Sequence, residues 1–221
     1  MNPDMPAATA APFLVVLDVD STLIEDEAIE LLAAEAGSLE EVAAITFRAM
    51  NGELDFAESL RARVATLAGL DEACFARVGS RIRLTAGAER LIAGVHAAGG
   101  LIGVVSGGFH ELLDPLARRL GLDFWRANRL GVAEGRLTGA VEGPIVDAEA
   151  KAVALTEWAT ERGVELGATV AIGDGANDLR MMAVAGLSVA FDAKPVVRGR
   201  ADVSMTRRDL AQVLPLLGLP A

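Results

Sequence analysis

The sequence is poor in cysteine, histidine and aromatic residues. Its 221 residues include one cysteine, two histidines, two tryptophans and no tyrosine. A single cysteine cannot form a disulfide within the chain, and Cys74 stands at an apolar position of a helical pattern. We therefore expect a buried, inert thiol, a reducing environment, and chemistry carried by other residue types.

Basic charge and long apolar runs are also scarce. The chain has 20 Lys and Arg against 31 Asp and Glu, a net charge of -11, which argues against a nucleic-acid partner. No apolar run approaches the ~18 residues of a membrane-spanning helix. Residues 1–12 contain no Lys or Arg and so lack the basic start of a secretory signal. We expect a cytoplasmic protein, no membrane partner, and a flexible tail over residues 1–12.

The chain is rich in hydrophobic residues, which make up 52% of it and can form a sizeable core. From Thr85 onward, apolar strands alternate with amphipathic helices, which predicts an α/β fold with a doubly wound parallel sheet and a Rossmann-like core. The opening run Phe13–Leu17 predicts a first strand buried on both faces. Residues 23–84 contain helical segments only, with Ser38-Leu-Glu-Glu41 as a capping box. We therefore predict a catalytic core over 13–22 and 85–221, and a small helical cap domain over 23–84 inserted after the first strand.

Polar or glycine-rich turns follow three of the predicted strands, at Asp18, Ser106 and Asp174. Because parallel strands end at one edge of their sheet, these turns should converge there. Asp18 and Asp20 stand two apart, so in extended backbone their carboxylates point to the same side. The alternative is a solvated turn in which Asp20 or Ser21 caps the next helix.

Two further segments favour an anion and a cation at this edge. Ser106-Gly107-Gly108 precedes a helix and would present a hydroxyl and free N–H groups to phosphate; the alternative is a turn that uses glycine for backbone freedom. Gly173-Asp-Gly-Ala-Asn-Asp178 offers oxygen ligands suited to Mg²⁺, with Asp174 as the candidate; the alternative is a turn with Asn177 or Asp178 as N-cap. Lys151 alone is typical of a solvated charge, yet beside these acids it would offset their repulsion of a phosphate.

In this order, Asp18-Val-Asp20-Ser-Thr22, Ser106-Gly-Gly, Lys151 and Gly173-Asp-Gly-Ala-Asn-Asp178 resemble the four motifs of the haloacid dehalogenase-like phosphatases. The resemblance implies that Asp18 is the nucleophile and that Asp20 is the general acid and base. It implies Mg²⁺ held by the Asp18 carboxylate, the Asp20 backbone carbonyl and Asp174. Phosphate would be bound by Ser106, the Gly107 amide and Lys151, with Asn177 nearby and Asp178 orienting Lys151.

Other segments are similar to the branch of that family that hydrolyses O-phospho-L-serine, the last step of serine biosynthesis; they are Glu27, Met50-Asn-Gly52, Phe56, Ser59-Leu-Arg-Ala-Arg63, Phe109 and Ala127-Asn-Arg-Leu130. The resemblance implies that Glu27 pairs with the substrate ammonium and that Met50 and Phe56 close over the site. Arg63 lies in an apolar helical stripe with Phe56, Leu60 and Leu67, so we expect it to bind the substrate carboxylate. Glu27 and Arg63 can also be an ordinary first-turn acid and a snorkelling arginine.

The expected partner is thus a small-molecule substrate, and a homodimer is left open. Two rival functions remain at this point. One is a phosphotransferase, or a phosphatase for another small phosphorylated acid, with the same core and a different cap. The other is a signalling module that is phosphorylated on aspartate, which has no use for Asp20 as a leaving-group acid.

Overall fold

The computed structural model describes residues 11–220, so residues 1–10 of the predicted tail lie outside the described residues. Within that range the chain forms one sheet of seven strands in the order β4-β3-β2-β1-β5-β6-β7. The strands are β1 Leu14–Leu17, β2 Leu101–Phe109, β3 Phe124–Ala133, β4 Arg136–Glu142, β5 Thr169–Gly173, β6 Leu187–Phe191 and β7 Val203–Met205. Every neighbouring pair is parallel except β3 and β4, which form an antiparallel hairpin.

The helices of the described residues are α1 Ala28–Ala36, α2 Leu39–Met50, α3 Phe56–Ala65, α4 Cys74–Gly79, α5 Ala88–Ala97, α6 His110–Leu120, α7 Ala148–Arg162, α8 Leu179–Val184 and α9 Pro195–Arg198. A 3₁₀ segment, Leu210–Leu217, follows β7. None of these helices has the length and the apolar character to cross a membrane.

Helices cover both faces of the sheet because β1 is apolar on both sides. Val15 and Leu17 pack into a core with α5, α6 and the 3₁₀ segment. Leu14 and Val16 point the other way, into a core with α7 and α8. A central strand of four fully buried residues requires cover on both faces, and this arrangement confirms the predicted doubly wound α/β fold.

Helices α1 to α4 bury Leu32, Leu60, Leu67 and Val78 in a third core, which they share with Phe109 and Leu112 and with the β3–β4 hairpin through Leu130 and Leu137. The two points where the chain enters and leaves this group lie side by side, because Ile24 and Leu84 form an isolated antiparallel bridge. This pairing supports the cap boundaries at residues 23 and 84, and we keep the division into tail, core and cap as a proposal.

Two local predictions differ from the structure, and two short elements of the structure were not predicted. Ser38 does not cap α2; its hydroxyl lies 3.0 Å from Thr66 Oγ1, so a side chain from the neighbouring helix has replaced the helix N–H as its partner. Strand β2 continues to Phe109 instead of ending at Val105, because a bulge carries Ser106 to Gly108 out of the ladder before pairing resumes. The helix α9 and the 3₁₀ segment were not predicted.

Candidate active site

The nucleophile candidate Asp18 directly follows β1 and is 4% exposed. Its N–H donates to the carbonyl of Ile172 on β5 at 2.9 Å, so the central pair of strands fixes its backbone. The chain then enters a tight turn over residues 19–23, in which Ser21 has φ +57°. This turn, and not a continued strand as the sequence suggested, brings Asp20 to the same cavity as Asp18.

Lys151 is fully buried and contacts two carboxylates. Its Nζ donates to Asp18 Oδ1 at 2.5 Å and to Asp178 Oδ1 at 2.7 Å. Burial alone would lower the pKa of Lys151, but Asp18 and Asp178 raise it overall, so the ammonium stays charged. The lysine is therefore a fixed positive charge behind Asp18.

Asp178 organises the loop after β5. Its Oδ2 accepts the N–H groups of Asp174 and Gly175 at 3.1 and 3.0 Å, while its Oδ1 is bound by Lys151. Carboxylate oxygens of Asp18, Asp174 and Asp178 lie within 4.8 Å of one another, so this acidic cluster can hold a metal ion. Since both Asp178 oxygens already have donors, Asp18 and Asp174 have the freer oxygens for a cation.

The charge balance at the cavity also favours a cation. Burial raises the pKa of Asp18 well above its ordinary value, and Lys151 only partly opposes this effect. Burial raises the pKa of Asp20 and Asp174 as well. The site has three basic side chains, Lys151, Arg63 and Lys194, against five acids, Asp18, Asp20, Glu27, Asp174 and Asp178. Ionisation of all five acids therefore leaves an excess of negative charge, which a divalent ion at hard oxygen ligands would offset.

Asp20 is held by two donors from different elements. Its Oδ1 accepts the N–H of Ala28, the first residue of α1, at 2.7 Å, and its Oδ2 accepts the Ser106 hydroxyl at 3.0 Å. A side chain at Gly108 would place its Cβ 2.9 Å from Asp20 Oδ2, so only glycine leaves room for this contact. Asp20 thus does reach the start of α1, as the alternative interpretation suggested, while its carboxylate also lines the cavity.

These groups open into a cavity of about 140 Å³ between the sheet edge and the helices α1 and α3. Of the predicted site residues, the following line it: Asp18, Asp20, Glu27, Arg63, Gly107, Asp174 and Asn177. Ser106 and Lys151 lie directly behind this lining, bonded to Asp20 and Asp18. The structure thus brings together the residues selected from three strand ends and two cap helices.

The cap side of the cavity carries one acid and one base. Glu27 accepts the Ser21 hydroxyl at 2.7 Å. Glu27 is exposed to solvent, yet the surrounding protein and the charges of Asp20 and Asp174 raise its pKa to about 7. Burial lowers the pKa of the half-buried Arg63, while Glu27 and Asp20 act in the opposite direction.

Two observations on the cavity wall depart from the sequence analysis. Phe56 lines the cavity, but Met50 is 74% exposed and is not part of the lining. Lys194 does line it, after β6 and next to Asp174, whose carbonyl accepts the Lys194 N–H at 3.1 Å. In the sequence, Lys194 follows an apolar strand, and this position could have indicated that it lies at the cavity.

Comparison with known proteins gives consistent matches. A model of the haloacid dehalogenase-like hydrolases matches residues 15–183. The phosphoserine phosphatase of Streptomyces coelicolor is 56% identical over 206 residues, which are 93% of this chain and 50% of that protein. The phosphoserine phosphatase of Streptococcus thermophilus is 50% identical over 204 residues, 92% of this chain and 95% of that protein. The chain therefore spans about half the length of the first relative and nearly all of the second.

Among solved structures, one of an analogue of the phospho-aspartyl intermediate of phosphoserine phosphatase has a TM-score of 0.87 at 44% identity, covering 92% of this chain and 98% of that one. A substrate-bound phosphoserine phosphatase complex has the same TM-score at 43% identity, covering 92% of this chain and 97% of that one. The family model over residues 15–183 agrees with the sequence and structure matches, which each cover 92% of the chain, and we conclude that the chain belongs to the haloacid dehalogenase-like hydrolase family.

Proposed function

We propose that this chain is a Mg²⁺-dependent phosphatase that hydrolyses O-phospho-L-serine to L-serine and phosphate, the last step of serine biosynthesis. The observation that carries the proposal is the arrangement of Asp18, which is bonded to Lys151, clustered with Asp174 and faces the same cavity as Asp20. Relatives at 56% and 50% identity are phosphoserine phosphatases, which supports the choice of substrate. Cytoplasmic placement and a homodimer stay predictions.

Asp18 is the nucleophile in this proposal. Its carboxylate attacks phosphorus and displaces the serine oxygen, which gives an aspartyl phosphate; water then attacks phosphorus and releases the carboxylate. A carboxylate and a phosphate repel each other by about 4 kcal/mol per pair of unit charges at ~4 Å and an effective dielectric of ~20. Lys151 reduces this repulsion, because its ammonium is held against Asp18.

Asp20 transfers the proton. It protonates the leaving serine oxygen in the first step and removes a proton from the attacking water in the second. Burial raises its pKa, as this double role requires, and the bonds from Ala28 and Ser106 hold the carboxyl group in place.

The donor set fits Mg²⁺, with the Asp18 and Asp174 carboxylates and the Asp20 carbonyl as its protein ligands. When bound, the ion would neutralise charge on the transferring phosphoryl group. Ser106, the Gly107 amide, Lys151 and Asn177 would bind the phosphate from the core side. Glu27 and Arg63 face the cavity from the cap and would bind the ammonium and the carboxylate of the substrate.

A substrate panel tests the proposal. We expect phosphate release from phosphoserine to exceed that from phosphothreonine and phosphoglycerate at least tenfold in kcat/KM, and to stop on chelation of Mg²⁺. Homoserine as a trial acceptor identifies a phosphotransferase. Equal rates on all three phosphoesters, transfer in preference to hydrolysis, or a phosphorylated chain that persists for minutes without turnover would contradict the proposal.

A further inference from the structure

One buried carboxamide joins the two segments that approach phosphate in the proposed reaction. Asn128 on β3 is 1% exposed. Its Nδ2 donates to the Gly107 carbonyl at 2.8 Å, and its Oδ1 accepts the Val146 N–H at 2.8 Å. Since one partner is an acceptor and the other a donor, only this orientation of the carboxamide satisfies both.

The Gly107 carbonyl needs this donor because its strand has left the ladder. Val105 pairs with Arg126 and Phe109 pairs with Asn128, so four steps along β2 correspond to two along β3. The backbone between them has no ladder partner, and buried peptide groups without a partner are costly. The Asn128 side chain supplies the missing bond.

The bond fixes the peptide plane between Gly107 and Gly108, and through it the general acid. The N–H of that same peptide, on Gly108, donates to Ser106 Oγ at 2.7 Å. Because the Ser106 oxygen accepts there, its own proton is directed to Asp20 Oδ2 at 3.0 Å. A rotation of the peptide would remove the donor to Ser106 and release its hydroxyl from Asp20.

The other end of Asn128 sets the start of α7. Val146 precedes Asp147, the N-cap of α7, whose Oδ1 accepts the Ala150 N–H at 2.9 Å. The Asp147 carbonyl in turn accepts the Lys151 N–H at 3.0 Å. The anchor at Val146 therefore determines how far the first turn of α7 carries Lys151 toward Asp18.

We propose that Asn128 is a positioning residue for phosphate: its carboxamide holds the Ser106–Gly108 bulge and the start of α7 at a fixed separation, so that Ser106, the Gly107 amide and Lys151 converge on one phosphate. This rests on the proposed function. Asn128 is not among the residues that line the cavity, so it acts on phosphate through the residues it holds.

Two variants of the Mg²⁺-loaded protein test this inference. Asn128→Asp keeps the acceptor for Val146 and removes the donor to Gly107, whereas Asn128→Ala removes both. We expect the inhibition constant of inorganic phosphate to rise at least tenfold in both variants and that of L-serine to change less than twofold. We also expect kcat to fall at least tenfold, with a shift in the pH profile of kcat because Ser106 no longer holds Asp20.

Thr169→Val is the matched control. Thr169 is 1% exposed at the opposite end of β5, and its hydroxyl also bonds to backbone, accepting the Gly186 N–H and donating to the Leu166 carbonyl. Its loss should lower the thermal midpoint as the Asn128 substitutions do, with the phosphate constant unchanged. Wild-type-like phosphate inhibition in folded Asn128 variants, or an equal change in Thr169→Val, would overturn the inference.

The wild-type protein gives a test that does not depend on the folding of a variant. In NMR spectra, the Asn128 side-chain N–H₂ signals should be protected from exchange and should shift when inorganic phosphate saturates the protein. Absence of a shift would also overturn the inference. If the wild type binds phosphate but does not hydrolyse phosphoserine, the proposed function fails instead, and the two failures are thereby distinguished.

Discussion

At the scale of single residues, burial determines what each acid of the cavity can do. Asp18, Asp20 and Asp174 all have raised pKa values with burial as the largest cause, yet their neighbours differ. Asp18 has an ammonium at 2.5 Å that favours its carboxylate form, whereas the hydrogen-bond donors to Asp20 among the described residues are neutral. Two carboxyl groups two residues apart thus acquire different environments, as a nucleophile and a proton carrier need.

Glu27 leads to a prediction of pH dependence. Its pKa of about 7 means that it is half protonated near neutral pH, and only the ionised form pairs with an ammonium group. We therefore expect KM for phosphoserine to fall as pH rises from about 6 to about 8. Phosphoglycerate carries the same titrating phosphate without an ammonium and should show no such fall. The same KM profile in Glu27→Gln would rule out this role.

Arg63 leads to a prediction of specificity. Arg63→Met should lower kcat/KM for phosphoserine about 100-fold, because a charge-assisted bond to the carboxylate is lost, and should change the value for phosphoethanolamine less than threefold. Arg61→Met on the exposed side of α3 is the control and should behave as wild type. An equal loss of kcat/KM on both substrates would show that Arg63 stabilises the structure around the cavity and does not bind the substrate carboxylate.

At the scale of elements, the start of α3 can be tested through its cap. Asp55 accepts the Glu58 N–H at 2.7 Å and Glu58 accepts the Asp55 N–H at 2.9 Å, a reciprocal capping box. Asp55→Ala should lower the free energy of unfolding by about 1 kcal/mol in urea denaturation. Ser38→Ala, at the helix start without a side-chain cap, should cost less than half as much. The reverse order would show that the cap contacts are misassigned.

These two helix starts show what the sequence can and cannot specify. Both have the capping-box spacing, but only Asp55 bonds to its own helix. The Thr66 hydroxyl donates to the Arg63 carbonyl, so the Ser38 hydroxyl donates to Thr66 instead of capping α2. A partner 28 residues away leaves no local signal. The strand ends at Asp18 and Asp174 were predictable, because an apolar run followed by an acid is a pattern within a few neighbouring residues of the sequence.

The same limit applies to the site. Lys194 follows an apolar strand, as a site residue would, but an exposed lysine is also typical of an ordinary surface charge, and the local pattern does not distinguish the two. The segment Ala127-Asn-Arg-Leu130 has a sequence similar to the family branch, but the contacts of Asn128 depend on a bulge in a different strand. Side chains that contact distant backbone depend on the complete fold and are found only from coordinates.

At the scale of the whole molecule, the parallel sheet brings the site residues together. Strands β1, β2 and β5 are neighbours, and their ends carry Asp18, Ser106 and Asp174 to one edge, while the cap covers that edge with Glu27 and Arg63. The acids accumulate charge there that the protein alone does not neutralise. The stability of the whole fold should therefore depend on a cation.

Magnesium should raise the thermal midpoint of unfolding. At about one hundred times its dissociation constant, an ion that binds only the folded protein adds about 2.7 kcal/mol, which corresponds to about 5 °C or more for a chain of this size. Sodium chloride at equal ionic strength should not reproduce the rise, and Asp174→Asn should abolish most of it. An undiminished rise in Asp174→Asn would place the cation elsewhere.

The central claim is that Asp18 carries the phosphoryl group during turnover. The direct measurement is mass spectrometry of the protein quenched in acid during hydrolysis of phosphoserine, with and without borohydride, which reduces an acyl phosphate to an alcohol. We predict a phosphoryl group on Asp18 and, after borohydride, homoserine at position 18. Steady release of phosphate with Asp18 unmodified under both conditions, or a phosphoryl group on another residue, would contradict the account.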